Sequence, residues 1–214
     1  SHADIADFAI VVAREGLFIV DLAGAGVSRE NVETVDPTRN HARIVFKGAA
    51  GDPLGNGADA WSLVNNVLDR AAILVAFEQI GGSDRALEMG RDYALDRIAF
   101  GRPIGSFQAV KHMLADMYVA ATLARSNAYY GAWALSTDAG ELAEAAANAR
   151  VSATQAYQLC SKNNTQVHGG MGFTWEFDCH LYYRRSNLLA LTLGSLTMWE
   201  NRLIDEMRKR NAAA

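Results

Sequence analysis

Arg97-Ile-Ala-Phe-Gly-Arg-Pro-Ile-Gly-Ser-Phe-Gln108 lies between two long stretches of helical periodicity and fixes where one helix must stop and the next begin. Gly101, Pro103 and Gly105 fall within five residues. No helix passes through them unbroken, because proline lacks the amide donor and glycine disfavours helix interiors. Ser106 then stands where an N-cap for the next helix is expected. Arg97 and Gln108 bracket the break with a cation and an amide, both suited to a phosphate or a carbonyl. The residues alone leave two readings open: a plain corner between helices, or a corner whose polar flanks grip a ligand.

Working outward, Trp61, Val64, Leu68, Ala71 and Val75 recur at three- and four-residue steps, and the pattern runs on to Tyr93 and Ile98. It predicts a helix over Ala58–Arg97, about 60 Å long at the usual rise. Gly81-Gly82 interrupts the pattern, which implies close approach by a neighbouring helix. Phe107, Val110, Leu114, Met117, Ala121, Ala124 and Ala128 predict a second helix reaching Leu135. A third is expected over Glu141–His168, rich in alanines that let helices pack closely. A fourth helical region is expected over Asp178–Arg210, bent near Gly194. Four long amphipathic segments with short connections read as an antiparallel four-helix bundle over residues 58–214.

Residues 1–57 differ in kind. Asp7–Ala13 and Leu17–Asp21 flank Arg14-Glu15-Gly16, a hairpin signature, and His41–Lys47 alternates with strand period. Asp36-Pro37-Thr38 and Gly51-Asp52-Pro53 read as turns. Four strands or fewer with open edges are expected, a partial β-domain left from a larger sheet. The expected fold is therefore mainly α, a helical bundle preceded by a partial β-domain.

Half of the 214 residues are hydrophobic, 21% are charged, and the net charge is −4 with no basic block. That argues against nucleic acid and against an anionic membrane surface. Apolar runs are short and broken by charged or amide residues, so no membrane span is expected. No signal-type segment is seen at Ser1-His2-Ala3-Asp4, and a cytoplasmic protein is expected. Cys160 and Cys179 are too few for a disulfide framework and read as reduced packing residues. The five histidines show no ligand spacing with them, so no metal site is expected.

Gln166-Val-His-Gly-Gly-Met-Gly172 closes the third helix. Gly169 there is either a left-handed C-cap or part of a backbone loop that a flat or anionic ligand approaches. Together with Arg97-x-x-Phe100-Gly101-x-x-Ile104-x-x-x-Gln108, this loop resembles the cofactor-contacting motifs of acyl-CoA dehydrogenases. Glu176, Tyr183-Arg184, Glu78-Gln79-Ile80-Gly81-Gly82 and Ala115-Asp116-Met117 stand where such sequences usually have them. Ala6-Asp7 and Asp36-Pro37-Thr38-Arg39 resemble that family's middle β-domain, so the likeness covers nearly the whole chain.

The resemblance implies FAD lying across a dimer interface, gripped by the corner and glycine loop of the neighbouring subunit. By that match Arg97 pairs with the pyrophosphate, while Phe107 and Gln108 border the flavin–adenosine chain. Gln166, Gly169 and Gly170 complete the grip, and Ser195 and Thr197 touch the cofactor. Asp69 and Gly194 fall near the acyl-CoA. The family reaction removes an α-proton with a carboxylate while a β-hydride goes to the flavin. Its base usually precedes a Gly-Thr pair; here that position is Leu193, before Gly194-Ser195. The family's alternative position falls on Ala71. Neither residue can take a proton. Glu78, expected to be satisfied by Arg85 or a backbone group, and Asp69 are the substitute candidates. Arg185 replaces a commonly acidic residue.

These matches imply an FAD-dependent acyl-CoA dehydrogenase subunit that lacks the N-terminal domain and the usual catalytic Glu, and that is inactive by itself. A heteromeric bacterial type is expected, acting on fatty-acyl or sterol side-chain thioesters, with electron-transfer flavoprotein as acceptor. The alternative is a non-catalytic helical scaffold or assembly subunit of such a heteromer. A homo-oligomeric dehydrogenase with a displaced base is the third possibility.

Overall fold

The computed structural model describes residues 2–55 and 60–212. The chain divides into two compact units, Ser1–Val67 and Leu68–Ala214.

In the first unit β1 (Phe8–Ala13) and β2 (Gly16–Asp21) form the hairpin expected around Arg14-Glu15. β3 (Val27–Asn31) pairs with β4 (Ala42–Phe46), and β5 (Asp52–Leu54) adds to β2. Five strands thus replace the expected four or fewer among the described residues of this unit. β3 was invisible to periodicity because Ser28, Arg29, Glu30 and Asn31 are all polar and exposed; Val27 opposite Phe46 starts its register. Asp52-Pro53 belongs to a strand rather than a turn. Pro53 faces Phe18 from the sheet edge, where its missing donor leaves no ladder bond unmade. Asp36-Pro37-Thr38 is a turn as read: the Thr38 amide donates to the buried Asp36 carboxylate at 3.0 Å.

The second unit is helical. α1 (Ala60–Asp96) enters it from Leu68 onward, followed by α2 (Gln108–Ser136), α3 (Leu142–His168), α4 (Cys179–Leu191) and α5 (Leu196–Ala212). Five helices therefore stand among the described residues. The expected fourth region breaks outright at Thr192–Ser195, where Leu193 (φ 62°) and Gly194 (φ 109°) are both left-handed.

α1 does not break at Gly81-Gly82. A Cβ on Gly82 would lie 2.3 Å from the Tyr157 ring, so this glycine admits α3 at close range, as its place in the sequence implied. Small residues do the same along the whole unit. Ala145, Ala146, Ala149, Ala153 and Ala156 of α3 are buried against Ala72 and Ala76 of α1 and Ala124, Ala128 and Ala134 of α2. Ile73, Met117 and the fully buried Trp199 of α5 fill the larger gaps; burying such a side chain contributes about 1.5–3 kcal/mol. Cys160 and Cys179 are free and buried, and burial pushes the Cys160 thiol up to about 12.

By length and composition α1 could cross a membrane. Its polar residues instead tie it to the other helices of the second unit. Asp69 pairs with Arg202 of α5 at 2.7 Å, Glu78 with Arg185 of α4 at 2.8 Å, and Asp84 with Arg125 of α2 at 2.5 Å.

Candidate functional site

α1 ends where the sequence predicted a stop. The Arg97 amide closes the last turn onto the Tyr93 carbonyl at 2.9 Å, and Ile104 donates back to the Arg97 carbonyl at 2.8 Å. Between them Ile98–Ala99 (β6) and Arg102–Pro103 (β7) pair antiparallel, with left-handed Phe100 and Gly101 at the tip. Ser106 does not cap α2. It closes a 3₁₀ turn, Ile104–Ser106, and its hydroxyl donates to the Pro103 carbonyl at 2.7 Å, so Phe107 takes the N-cap position without a side-chain bond.

This corner meets the end of α3. Tyr93, Arg97 and Ile104 on one side, and Val167, His168, Gly169, Gly170 and Met171 on the other, line one groove of about 410 Å³. Gly169 has φ 59° and ψ −135°, a conformation that side chains resist, and its amide closes α3 onto the Gln166 carbonyl. Gly170 is different. Its φ is not left-handed, and a Cβ there would meet no atom within 4 Å. Neither backbone nor packing requires its glycine, whereas an approaching ligand would.

His168 and Tyr93 form an aromatic wall, their rings stacked at 4.1 Å with Phe177 set edge-on to both. His168 Nδ1 lies 2.8 Å from the Asn164 carbonyl. A carbonyl only accepts, so Nδ1 carries the proton of the neutral ring. Burial pulls the His168 pKa below its ordinary 6.5, partly opposed by that hydrogen bond. Arg97 is therefore the groove's cation at neutral pH. An exposed guanidinium, an uncovered backbone and flat aromatic walls suit a nucleotide anion.

The remaining predicted residues do not line this groove. Gln166 is exposed one turn earlier. The Phe107 ring lies under the Arg102 guanidinium at 4.1 Å, and Gln108 Nε2 is 3.5 Å from His112 Nε2. Ser195 and Thr197 belong to the α4–α5 junction, where Ser195 Oγ accepts from the Met198 amide at 3.3 Å, as an N-cap does. Leu193 is half-buried against the core cluster of Ala72, Ile73 and Trp199. Ala71 is half-buried on α1.

Both substitute acids are held in ion pairs. Asp69 is 5% exposed and bound to Arg202; burial nonetheless raises its pKa, with Arg202 opposing. Glu78 is bound by Arg185 rather than by the expected Arg85, which bonds Glu88 at 3.0 Å instead. The residue that departs from the family pattern, Arg185, is thus the one that occupies Glu78. Sequence reasoning assigned no role to His168 or Tyr93, although His168 stands inside the quoted glycine motif and Tyr93 one turn before Arg97.

Residues 59–207 match the profile of the acyl-CoA dehydrogenase C-terminal domain. The chain belongs to the acyl-CoA dehydrogenase family. It is 38% identical over 196 residues to the acyl-CoA dehydrogenase IpdE2 of Mycobacterium tuberculosis, covering 91% of this chain and 55% of that protein. Among solved structures, the steroid acyl-CoA dehydrogenase Tcur3481–Tcur3483 superposes with a TM-score of 0.85 at 28% identity, over 97% of this chain and 56% of that one. The ChsE4–ChsE5 complex of M. tuberculosis gives 0.85 at 25% identity, over 97% and 57%. The chain therefore spans little more than half the length of the proteins it matches.

Proposed function

We propose that the chain is the C-terminal part of an FAD-dependent acyl-CoA dehydrogenase subunit that supplies the cofactor grip and not the base. One observation carries this: Arg97, Gly169 and Gly170, distant in sequence, line a single groove, while the base positions read Leu193 and Ala71. In that groove Arg97 neutralises the pyrophosphate with charge-assisted bonds, and the two glycines let the backbone approach it. His168 and Tyr93 flank the adenosine side. Phe107, Gln108 and Gln166 border the same chain, Ser195 and Thr197 touch the cofactor from the α4–α5 junction, and Asp69 and Gly194 lie on the acyl-CoA side. FAD, when bound, supplies the hydride acceptor for α,β-desaturation of an acyl-CoA thioester.

Leu193 has no acid–base chemistry, and buried Asp69 and the third-exposed Glu78 are each held by an arginine. On this proposal proton removal falls to a carboxylate of a partner subunit, in a heteromer of acyl-CoA dehydrogenase subunits. The likeness to a steroid acyl-CoA dehydrogenase and to a two-component complex supports that assembly and sterol side-chain thioesters as substrates. Electron-transfer flavoprotein is the proposed acceptor and the cytoplasm the proposed compartment. The groove disfavours a pure scaffold, which needs neither an exposed Arg97 nor an uncovered Gly170. Flavin absorbance of the full-length subunit purified with its partner tests the proposal: a bound flavin is expected, and a colourless complex rejects it.

A further inference from the structure

Arg150 sits in the middle of α3 with 1% of its surface exposed. Its Nη1 donates to Gln79 Oε1 of α1 and to Thr154 Oγ1, each at 2.6 Å. Its Nη2 donates to two backbone carbonyls at the end of α4, those of Leu189 and of Thr192, the latter at 2.7 Å. All four acceptors are neutral. Burial lowers the pKa to about 10, so the group stays charged at neutral pH. A buried cation without a carboxylate is a poor device for stability alone, since an apolar side chain of similar volume avoids the desolvation.

What the cation does is local and directional. α4 has no basic residue in its own last turn. The negative end of its dipole and two of its terminal carbonyls are met instead by a guanidinium from the neighbouring helix. The chain then enters the left-handed pair Leu193 and Gly194. Trp199 Nε1 holds the Leu193 carbonyl at 3.1 Å, and Ser195 caps α5. Arg150 is thus the anchor at the α4 side of a short, strained junction.

We propose that Arg150 is a positioning residue: from α3 it caps the end of α4 and so fixes the path of Thr192–Ser195, the turn that the dehydrogenase reading puts at the substrate end of the site. This rests on that reading for the turn's role, though not for the hold itself. The guanidinium fork is what the task needs. It reaches Gln79, Thr154 and two carbonyls at once, which a lysine ammonium cannot do.

The test compares Arg150→Met and Arg150→Lys in the full-length subunit assembled with its partner, by peptide hydrogen exchange and by steady-state kinetics. Amides of 192–199 are expected to exchange at least about tenfold faster in Arg150→Met, with those of 117–128 in α2 unchanged. KM for acyl-CoA rises, and Arg150→Lys is intermediate. Should Arg150→Met fail to fold, Arg150→Lys, which keeps the charge and the stem, carries the comparison. Unchanged exchange at 192–199, or exchange rising evenly across the bundle, overturns the proposal. A loosened turn with unchanged KM upholds the hold on α4 and rejects the placement of that turn beside substrate.

Discussion

α3 and α4 both end near a left-handed residue and are equipped oppositely. Gly169 (φ 59°) caps α3 directly, whereas α4 is capped by extended Thr192 and left-handed Leu193 (φ 62°) follows one residue later. Beside the first, the cation Arg97 and the backbone are open to a groove. Beside the second, the cation Arg150 is buried and bonded to four neutral acceptors, and the leucine packs on the core. One helix end is kept free for something outside the unit; the other is satisfied from within. On the proposed function, that contrast separates a chain that grips a cofactor from one that also moves a proton.

Substitution at the open end is expected to have the largest effect. Gly169→Val forces a β-branched residue into a conformation that costs on the order of 1–3 kcal/mol and crowds the groove. Flavin affinity of the assembled enzyme should fall roughly a hundredfold by titration; retention of wild-type affinity would mean that this helix end faces no cofactor. Next in size, Asp69→Asn leaves Arg202 facing a neutral amide. It should cost about 2 kcal/mol, less than breaking a fully buried pair because the Arg202 side chain is 21% exposed, and lower Tm by roughly 4–8 °C. Turnover measured well below Tm should persist. Lost turnover with an intact Tm would make Asp69 the base and erase the contrast.

At the satisfied end, Leu193→Ala should leave turnover of the assembled enzyme within roughly threefold of wild type, because a leucine transfers no proton. A larger fall at unchanged flavin content would give the turn a chemical role. The smallest effect is a pH dependence. The folded state holds the His168 pKa below 6.5, so the unfolded chain binds more protons between the two values. His168 therefore leaves stability undiminished above about pH 6.5 and removes some as pH falls through that value toward the folded pKa, with a slope under about 1.4 kcal/mol per pH unit. His168→Phe, which keeps a ring against Tyr93, should flatten that slope in denaturant titrations; an unchanged slope would mean that another group sets it.

The parts legible in the sequence were those set by local chemistry. Gly101, Pro103 and Gly105 forced the corner, apolar period marked α1 and α2, alanine richness marked α3, and Gly81-Gly82 announced a close neighbouring helix, which is α3 through Tyr157. The parts that were not legible depend on partners distant in sequence. β3 is polar throughout and exists because β4 pairs with it. Ser106 looked like a cap until Pro103 took its hydroxyl. The bend expected near Gly194 became a full break because Leu193 is left-handed as well, which no propensity foretells for leucine. Nothing local links Glu78 to Arg185, or Arg150 to the end of α4. At the site, the glycine loop and Arg97 were readable as motifs, but their sharing a groove with His168 and Tyr93 was not.

The most direct measurement is flavin content of the full-length subunit purified with its partner, wild type against Arg97→Ala. Bound flavin in the wild-type complex, lost or strongly weakened when Arg97 is removed at unchanged assembly, is the expected result. Equal flavin in both, or none in either, would contradict a cofactor grip built from this corner and the end of α3.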